Sequence, residues 1–368
     1  MVVTLNYRLN IFAFGNCNSD PHCEKNLALS DQRAALDFIR LHIRGFGGDP
    51  ENVTLAGESA GAVYVHAHMA MGAPIRQAIL QSGSLYLSPP IPRLRAEDLA
   101  ATIEVCLRGL SPPGGPVSTL QNAPVELILK ALADVGYSSW YLQMEPGLEN
   151  WRIKLGHAER LMIGDCEYES AFLRNGVEKM TDDFIFRTFG LSDDEGSLLK
   201  SESASLRSLY GIVPGRPSSC KTGTLDLLND VRFTIATEDL VGQWRGNGRQ
   251  VFRYLVDEAN PWQPSSRAHH TVDLPLLFGS YDLSFNPGAT RVSYTMAEKW
   301  ISFVAGSDPW DRSKYFAFGP LGNCAVIDDE GFAARRRKCH CDAIRSYGVD
   351  RVDKVWLNFA KGNISLEN

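Results

Sequence analysis

No apolar run in the 368-residue sequence approaches the roughly 18 residues that a bilayer-spanning helix requires. The first ten residues, MVVTLNYRLN, lack the basic segment and the long apolar segment of a secretory signal peptide. An excess of positive charge is also absent, since the formal net charge is −6. The composition therefore argues against a membrane span and against general binding to nucleic acid or to membrane surfaces.

Cysteine usage and glycosylation signals leave the cellular compartment open. The eight cysteines are an even number, and Cys17 and Cys23 could close a small loop, but spacing alone does not establish a disulfide in a chain this long. Asn52 and Asn363 begin N-x-S/T sequons, although Asn52 also begins a segment with the pattern of a buried strand. We draw no localisation and no oligomeric state from these features.

One strongly basic run, RRRK at 335–338, lies in a segment with a helical pattern near the C-terminus. Charge runs on helices usually face solvent. We therefore expect this run to form a solvated face rather than a binding patch.

Strand and helix patterns alternate over the first 84 residues. Dense β-branched residues predict a buried strand at Val2–Tyr7, and the segments NVTLA and RQAILQSGS predict two more. A helix is expected with Ser30 as its N-cap and Gly45 as its C-terminal stop, and a second helix is expected directly after Ser59. This alternation indicates a parallel sheet with helical crossovers.

Gly57, Ser59 and Gly61 form a G-x-S-x-G motif between a predicted strand and a predicted helix, the context that a nucleophile elbow requires. Such a turn needs small residues on both sides of the serine because neighbouring backbone comes close. It would place the hydroxyl at a helix N-terminus, where the Ala60 N–H and the helix dipole stabilise negative charge. Ser59 is therefore a candidate nucleophile, and a glycine–serine turn without chemistry is the alternative.

A serine nucleophile needs a histidine base and a carboxylate that orients this base. His66 and His68 lie two residues apart on the helix after Ser59, and we expect them to pack or to meet solvent. His340 lies between two cysteines, but no second ligand pair at zinc-type spacing supports a metal site. Composition and chain order leave three candidates for the base: His157, His269 and His270.

Four segments, NYRLNIFAFG, NLALSDQRAALDFI, FGGDPENVTLAGESAGA and AILQSGS, cover Asn6 to Ser84 almost continuously. In order and spacing they resemble the type B carboxylesterase family, the cholinesterase-like branch of the α/β-hydrolases. The resemblance implies the α/β-hydrolase fold, with a mostly parallel central sheet and helices on both faces. It also implies a single domain over residues 1–368, with irregular helical insertions at about 85–160 and 177–243.

The segment IGDCEYES resembles the acid loop of this family. In that register Gly164 matches the family's glycine and Glu169 its acid, while Tyr and Ser replace the flanking Asp and Gly. Asp165 and Glu167 lie close enough to compete for the role of the acid if the register shifts. The resemblance therefore implies Glu169 as the triad carboxylate.

The segment HTVDLPLLFG resembles the family's histidine segment, which leads into an apolar strand ending in Phe-Gly. This register selects His270 rather than His269, so the implied catalytic triad is Ser59, Glu169 and His270. Glu58 matches a family position that shapes the site electrostatically.

The family carries a His-Gly-Gly-Gly loop before the strand that matches Val2–Tyr7, and this sequence contains no such motif. In the family that loop supplies most of the oxyanion hole, so only the Ala60 N–H remains as a donor. Two preceding strands would also be missing, and we expect either an exposed edge beside NVTLA or pairing of Val2–Tyr7 at that edge. We favour an N-terminally truncated gene model or gene product.

The resemblance implies a serine carboxylic-ester hydrolase that forms an acyl-enzyme on Ser59 and acts on a small-molecule ester. This chemistry requires no cofactor and no metal. The alternatives are an inactive esterase-derived fragment without an oxyanion hole and a non-catalytic cholinesterase-like interaction protein. Relatives of the latter kind usually lose a triad residue, whereas Ser59, Glu169 and His270 are all present here.

Overall fold

The computed structural model describes residues 1–15, 24–111, 118–136, 142–189 and 198–360, without the side chains of 356–358 and 360. Cys17, Cys23 and Asn363 lie outside the described residues. The described residues form two compact units, one within Met1–Glu51 and Ser88–Lys154 and the other within Asn52–Leu87 and Leu155–Ile364. A single domain over residues 1–368 with two helical insertions stays a prediction.

The second unit contains a six-stranded sheet whose strands are β1 Thr54–Glu58, β2 Gln77–Gln81, β3 Arg160–Cys166, β4 Gln250–Val256, β5 Tyr315–Phe318 and β6 Cys324–Ile327. The strands lie in chain order across the sheet, and the first five run parallel while β6 runs antiparallel to β5. The predicted parallel sheet is thus confirmed. Because parallel strands have their carboxyl ends at the same edge of the sheet, the residues that follow β1, β3 and β4 lie at that edge.

Fifteen α-helices occur in the described residues: α1 Ile11–Phe14, α2 Leu27–His42, α3 Ala60–Ala70, α4 Arg93–Leu110, α5 Val125–Val135, α6 Arg174–Glu178, α7 Asp182–Thr188, α8 Lys200–Leu209, α9 Pro217–Asn229, α10 Ala236–Gly246, α11 Asp273–Phe278, α12 Pro287–Val304, α13 Asp329–Arg335, α14 Lys338–Tyr347 and α15 Val349–Ala360. Short 3₁₀ turns occur at Ile43–Phe46, Trp151–Ile153, Glu169–Leu173 and Pro264–Ser266, and a π-helical turn at Asp230–Ile235 joins α9 to α10. None of these helices combines the length and the apolar composition needed to cross a membrane.

The predicted strand at Val2–Tyr7 is wrong. Residues 1–9 form no strand, and most of their side chains are exposed. β-branched residues favour a strand only where the backbone pairs and one face is buried, and no described strand pairs with this segment. In the described sheet β1 pairs only with β2, so Val2–Tyr7 does not move across to the free edge of β1.

Two predicted helix boundaries and one predicted strand are also corrected. α2 begins at Leu27, so Ser30 lies inside the helix rather than at its N-cap. A 3₁₀ turn prolongs the helix until Gly47, whose φ of +83° ends it two residues after Gly45, because glycine adopts left-handed φ without penalty. The segment after His270 forms the helix α11 instead of an apolar strand.

An aromatic core joins β4 and β5 to α12, and its buried rings belong to Phe252, Tyr254, Trp300, Phe303, Phe316 and Phe318. The ring centroids of Tyr254 and Trp300 lie 4.8 Å apart at a steep interplanar angle, the edge-to-face arrangement that aromatic pairs favour. The Tyr254 ring also explains Gly164 in β3, since a Cβ added there would lie 2.3 Å from a ring carbon. The core therefore fixes the strand end from which the acid loop departs.

The expectation that the basic run at 335–338 forms a solvated face is wrong for its arginines. α13 ends at Arg335, and Arg336 adopts an extended backbone that breaks the helical pattern. Arg336 is buried and binds Asp165 and Asp257, while Arg337 binds the buried Asp230. Buried acids from distant parts of the chain draw these guanidinium groups inward, because each needs a countercharge.

Candidate active site

Ser59 occupies a sharp turn between β1 and α3, with φ of +54° and ψ of −118°. This conformation is strained for a residue with a side chain, and its occurrence at a strand–helix junction is typical of a nucleophile elbow. A Cβ added at Gly57 would lie 2.3 Å from the carbonyl carbon of Gly61, so only glycine fits at position 57. A Cβ added at Gly61 would meet nothing within 4 Å, so the predicted need for a small residue holds on one side of the serine only.

Gly83 is a second glycine that the elbow requires, and sequence reasoning assigned it no role. A Cβ at Gly83 would lie 2.5 Å from the carbonyl oxygen of Ser59. The Ser59 N–H also donates to the carbonyl oxygen of Gln81, the last residue of β2, over 2.9 Å, so the end of β2 holds the elbow in place. The signal was the glycine in the segment AILQSGS, directly after a buried strand.

The structure brings Ser59, Glu169 and His270 together. Nε2 of His270 lies 2.8 Å from the Ser59 hydroxyl oxygen, and Nδ1 lies 2.5 Å from Oε2 of Glu169. A carboxylate accepts only, so Nδ1 of His270 carries the proton and Nε2 accepts from the serine hydroxyl. This is the arrangement in which a histidine can remove a proton from serine while a carboxylate stabilises the resulting imidazolium.

Glu169 is fully buried and is held by the loop that follows β3. Its Oε1 accepts from the Cys166 N–H over 2.5 Å, and its own N–H donates to Oδ1 of Asn229 over 2.7 Å. Asn229, the last residue of α9, was not recognised from the sequence because 60 residues separate it from Glu169. These contacts leave Oε2 directed at His270.

The two carboxyls that could compete with Glu169 have other partners. Asp165 binds the guanidinium groups of Arg253 and Arg336, each over 2.8 Å. Burial alone would raise the pKa of Asp165, but the two guanidinium charges outweigh it and lower the pKa. Glu167 pairs with Arg267 over 2.6 Å.

In the described residues the hydrogen bonds of Ser59 involve none of four other histidines. His66 and His68 are buried in α3, and Nδ1 of His66 accepts from the Leu85 N–H over 3.2 Å. His157 is exposed, and Nε2 of His340 lies 3.2 Å from the carbonyl oxygen of Leu209. Across the described ranges no group of three His, Cys, Asp or Glu side chains is suited to holding a metal ion.

His270 is surrounded by three carboxyl groups. Burial lowers its pKa, whereas the charge and hydrogen bond of Glu169, followed by the charges of Glu58 and Asp273, raise it, and the net shift is upward. A raised pKa makes the imidazole a stronger base.

The other two carboxyls beside His270 are the partly buried Glu58 and the fully buried Asp273. Oε1 of Glu58 lies 3.5 Å from Nε2 of His270 without hydrogen-bond geometry, and burial raises the pKa of Glu58 to about 8. Oδ2 of Asp273 accepts from Nε2 of Gln81 over 2.7 Å, and burial raises the pKa of Asp273 to about 6. Asp273 was missed although it is the acidic residue three positions after His270, because its surroundings read as an apolar segment.

Two aromatic rings lie beside the imidazole of His270. The ring centroid of Phe172 lies 5.0 Å from that of His270, and the centroid of Phe233 lies 5.7 Å away.

Ala60 is the first residue of α3, so its N–H has no acceptor within the helix. The Ala60 N–H and the N-terminal dipole of α3 are therefore available next to Ser59.

Comparison with known proteins gives matches along most of the chain. Residues 1–326 match the model of the carboxylesterase family. The chain is 30% identical over 336 residues to Lipase 3 of Yarrowia lipolytica and 26% identical over 339 residues to para-nitrobenzyl esterase of Bacillus subtilis. It is 34% identical over 353 residues to the inactive carboxylesterase-like protein VdtD of Byssochlamys spectabilis.

These matches cover 85%, 84% and 83% of this chain, respectively. They cover 61%, 65% and 60% of the relatives, so the chain spans about three-fifths of the length of these curated proteins. The family match and the mostly parallel sheet confirm the predicted α/β-hydrolase fold. The chain belongs to the carboxylesterase family.

Proposed function

We propose that the chain is a serine carboxylic-ester hydrolase with Ser59 as nucleophile, His270 as general base and Glu169 as the orienting acid. The observation that carries this proposal is the continuous hydrogen-bonded series from Glu169 through both nitrogens of His270 to the Ser59 hydroxyl. Membership of the carboxylesterase family supports the same chemistry.

The reaction proceeds in two steps, acylation and then deacylation of Ser59. Ser59 Oγ bonds to the ester carbonyl carbon while its proton passes to Nε2 of His270, and this proton then leaves with the alcohol as the ester C–O bond breaks. Water next attacks the acyl-enzyme, His270 takes its proton, and the carboxylic acid departs as Ser59 regains a proton. The Ala60 N–H donates to the oxyanion that forms in each step.

The relative described as inactive favours a second candidate, a carboxylesterase-like protein that does not hydrolyse esters. Its sequence is 34% identical to this chain, which is higher than the identity of the two esterolytic relatives named above. The two candidates make opposite predictions for the reactivity of Ser59.

Labelling with a fluorophosphonate probe separates the candidates, because this reagent bonds to an activated serine without requiring a matched substrate. We expect labelling of the folded protein and none of Ser59→Ala. A matched control is Ser84→Ala, since the Ser84 hydroxyl accepts from the Tyr86 N–H and is not bonded to a histidine. Absence of labelling in folded protein would support the inactive candidate and reject the proposed hydrolase.

A further inference from the structure

His269, the neighbour of the proposed base, makes two hydrogen bonds that define its tautomer. Its Nδ1 lies 2.6 Å from the carbonyl oxygen of His270, and its Nε2 lies 2.9 Å from Nδ2 of Asn260. A carbonyl oxygen only accepts, so Nδ1 of His269 carries the proton and donates it. An amide nitrogen only donates, so Nε2 accepts. The ring is therefore neutral, with its proton directed at the backbone of His270.

The amide of Asn260 has one allowed orientation. Its Oδ1 accepts from the N–H groups of Trp262 and Gln263, over 2.9 and 3.0 Å. The Asn260 N–H donates to the carbonyl oxygen of Arg267 over 2.9 Å, which anchors the backbone as well. Turning the amide would place its NH₂ group against two N–H donors, so Asn260 must present a donor to His269.

The carbonyl that His269 holds belongs to the peptide leading into a strained residue. Thr271 has φ of +72°, a left-handed conformation that is unfavourable for a β-branched side chain. The Val272 N–H donates to the carbonyl oxygen of His269 over 3.1 Å, which closes a tight turn around His270 and Thr271. The position of the His270 ring thus depends on a turn that needs support from its surroundings.

We propose that His269 is a positioning residue, whose Nδ1–H, oriented by Asn260, holds the His270 peptide so that the His270 imidazole stays between Glu169 and Ser59. The consequence for catalysis rests on the proposed function, whereas the consequence for the geometry of His270 does not. The family register selected His270 as the base and left its neighbour without a role. The structure assigns that neighbour the support of the base.

Two substitutions separate hydrogen bonding from packing at this position. His269→Phe keeps an aromatic ring of similar size and removes both hydrogen bonds. His269→Asn loses the ring, but its amide nitrogen can take the place of Nδ1 and donate to the His270 carbonyl. A role in packing alone predicts that Phe is the better replacement, whereas the positioning role predicts Asn.

The first readout is the NMR signal of the exchangeable Nδ1 proton of His270, recorded on protein that has not been treated with fluorophosphonate. In the parent we expect this proton at low field, because its 2.5 Å contact with Glu169 is a short charge-assisted hydrogen bond. We expect the signal to move upfield or to broaden in His269→Phe and to return in His269→Asn. This readout requires no catalytic activity, so it tests the positioning role even if the proposed hydrolase is rejected.

The second readout is the rate at which fluorophosphonate labels Ser59. A displacement of the base by about 1 Å costs on the order of 10²-fold in rate, so we expect His269→Phe to label about 10- to 100-fold more slowly and His269→Asn to stay within about threefold of the parent. His340→Phe is the matched control, since it removes a histidine contact to a backbone carbonyl, that of Leu209, with no triad residue involved.

The outcomes are distinct. An unchanged His270 proton signal in folded His269→Phe overturns the positioning role, as does equal slowing in His269→Phe and His340→Phe. If His269→Phe does not fold, His269→Asn and Asn260→Ala are measured in the same way. A parent-like signal in Asn260→Ala then overturns the part assigned to Asn260, and loss of the signal in folded His269→Asn overturns the part assigned to Nδ1–H.

Discussion

Arg336 donates from both Nε and Nη2 to the single oxygen Oδ1 of Asp165, over 2.9 and 2.8 Å, and neither side chain is more than 2% exposed. Asp165 directly precedes Cys166, whose N–H holds Glu169. Arg336 also donates to Asp257, the residue directly after β4. Arg336 therefore links the end of β3, from which the acid loop departs, to the end of β4.

Replacing Arg336 with Met is expected to lower the free energy of unfolding by about 3 kcal/mol, because the buried Asp165 and Asp257 each lose one of their two guanidinium partners and keep only Arg253 and Arg335, respectively. Lys338→Met is the control, since the Lys338–Asp342 pair is about half exposed and such pairs contribute about 0–1 kcal/mol. Urea unfolding followed by circular dichroism measures both. Equal losses of stability in the two variants would contradict the structural role of Arg336.

The burial of the arginines in the basic run at 335–338 could not be predicted from the sequence. Neighbouring residues indicate a helix and favour exposure of its charges, and Lys338 is indeed half exposed. The burial of Arg336 depends on Asp165, which lies 171 residues earlier in the chain. Periodicity reports on the nearest turns of a helix only, so a countercharge that distant leaves no local signal.

Glu58→Gln is expected to change how stability depends on pH. The pKa of Glu58 is about 8 in the folded protein, above its ordinary value, so the folded state binds more protons than the unfolded state between roughly pH 4.5 and pH 8. The contribution of Glu58 to stability is therefore complete below this range and is lost as pH rises through it. The glutamine variant cannot ionise and does not suffer this loss.

Urea unfolding at pH 5, 6, 7 and 8 tests this linkage. The stability of Glu58→Gln relative to the parent should increase steadily with pH. Glu298→Gln, at a carboxyl that is 71% exposed, should show no such trend. A constant difference between Glu58→Gln and the parent across the series would rule out a raised pKa at Glu58.

Gly83→Ala and Gly61→Ala are expected to differ although both glycines lie near Ser59. The new Cβ at position 83 would sit 2.5 Å from the Ser59 carbonyl oxygen and must displace the elbow, which costs about 10²-fold in the labelling rate. The new Cβ at position 61 meets nothing within 4 Å, and alanine favours the helix by about 1 kcal/mol. Labelling kinetics and thermal unfolding of both variants test the contrast, and a tolerated Gly83→Ala would refute the close approach.

Gly61 and Gly83 show which parts of the candidate site could be predicted from the sequence and which could not. The motif around Ser59 is local, and the family register placed Glu169 and His270, which the structure brings within hydrogen-bonding distance. Gly83 acts across a strand pairing, so its role required the register of β1 against β2. The motif alone also implied equal constraints on both sides of the serine, which the backbone geometry does not impose at Gly61.

Tyr254 and Tyr210 should respond oppositely to loss of their hydroxyl groups. The Tyr254 hydroxyl is buried without a hydrogen-bond partner among the described residues. Tyr254→Phe therefore removes a polar group that lost its hydration on folding without gaining a hydrogen bond, and it should raise stability by about 1 kcal/mol. The Tyr210 hydroxyl donates to Oδ2 of the buried Asp230 over 2.7 Å, so Tyr210→Phe should lower stability by about 1.5–3 kcal/mol. Thermal and urea unfolding of the two variants give the signs directly. A loss of stability in Tyr254→Phe would show that its hydroxyl has a partner in solution, such as a bound water.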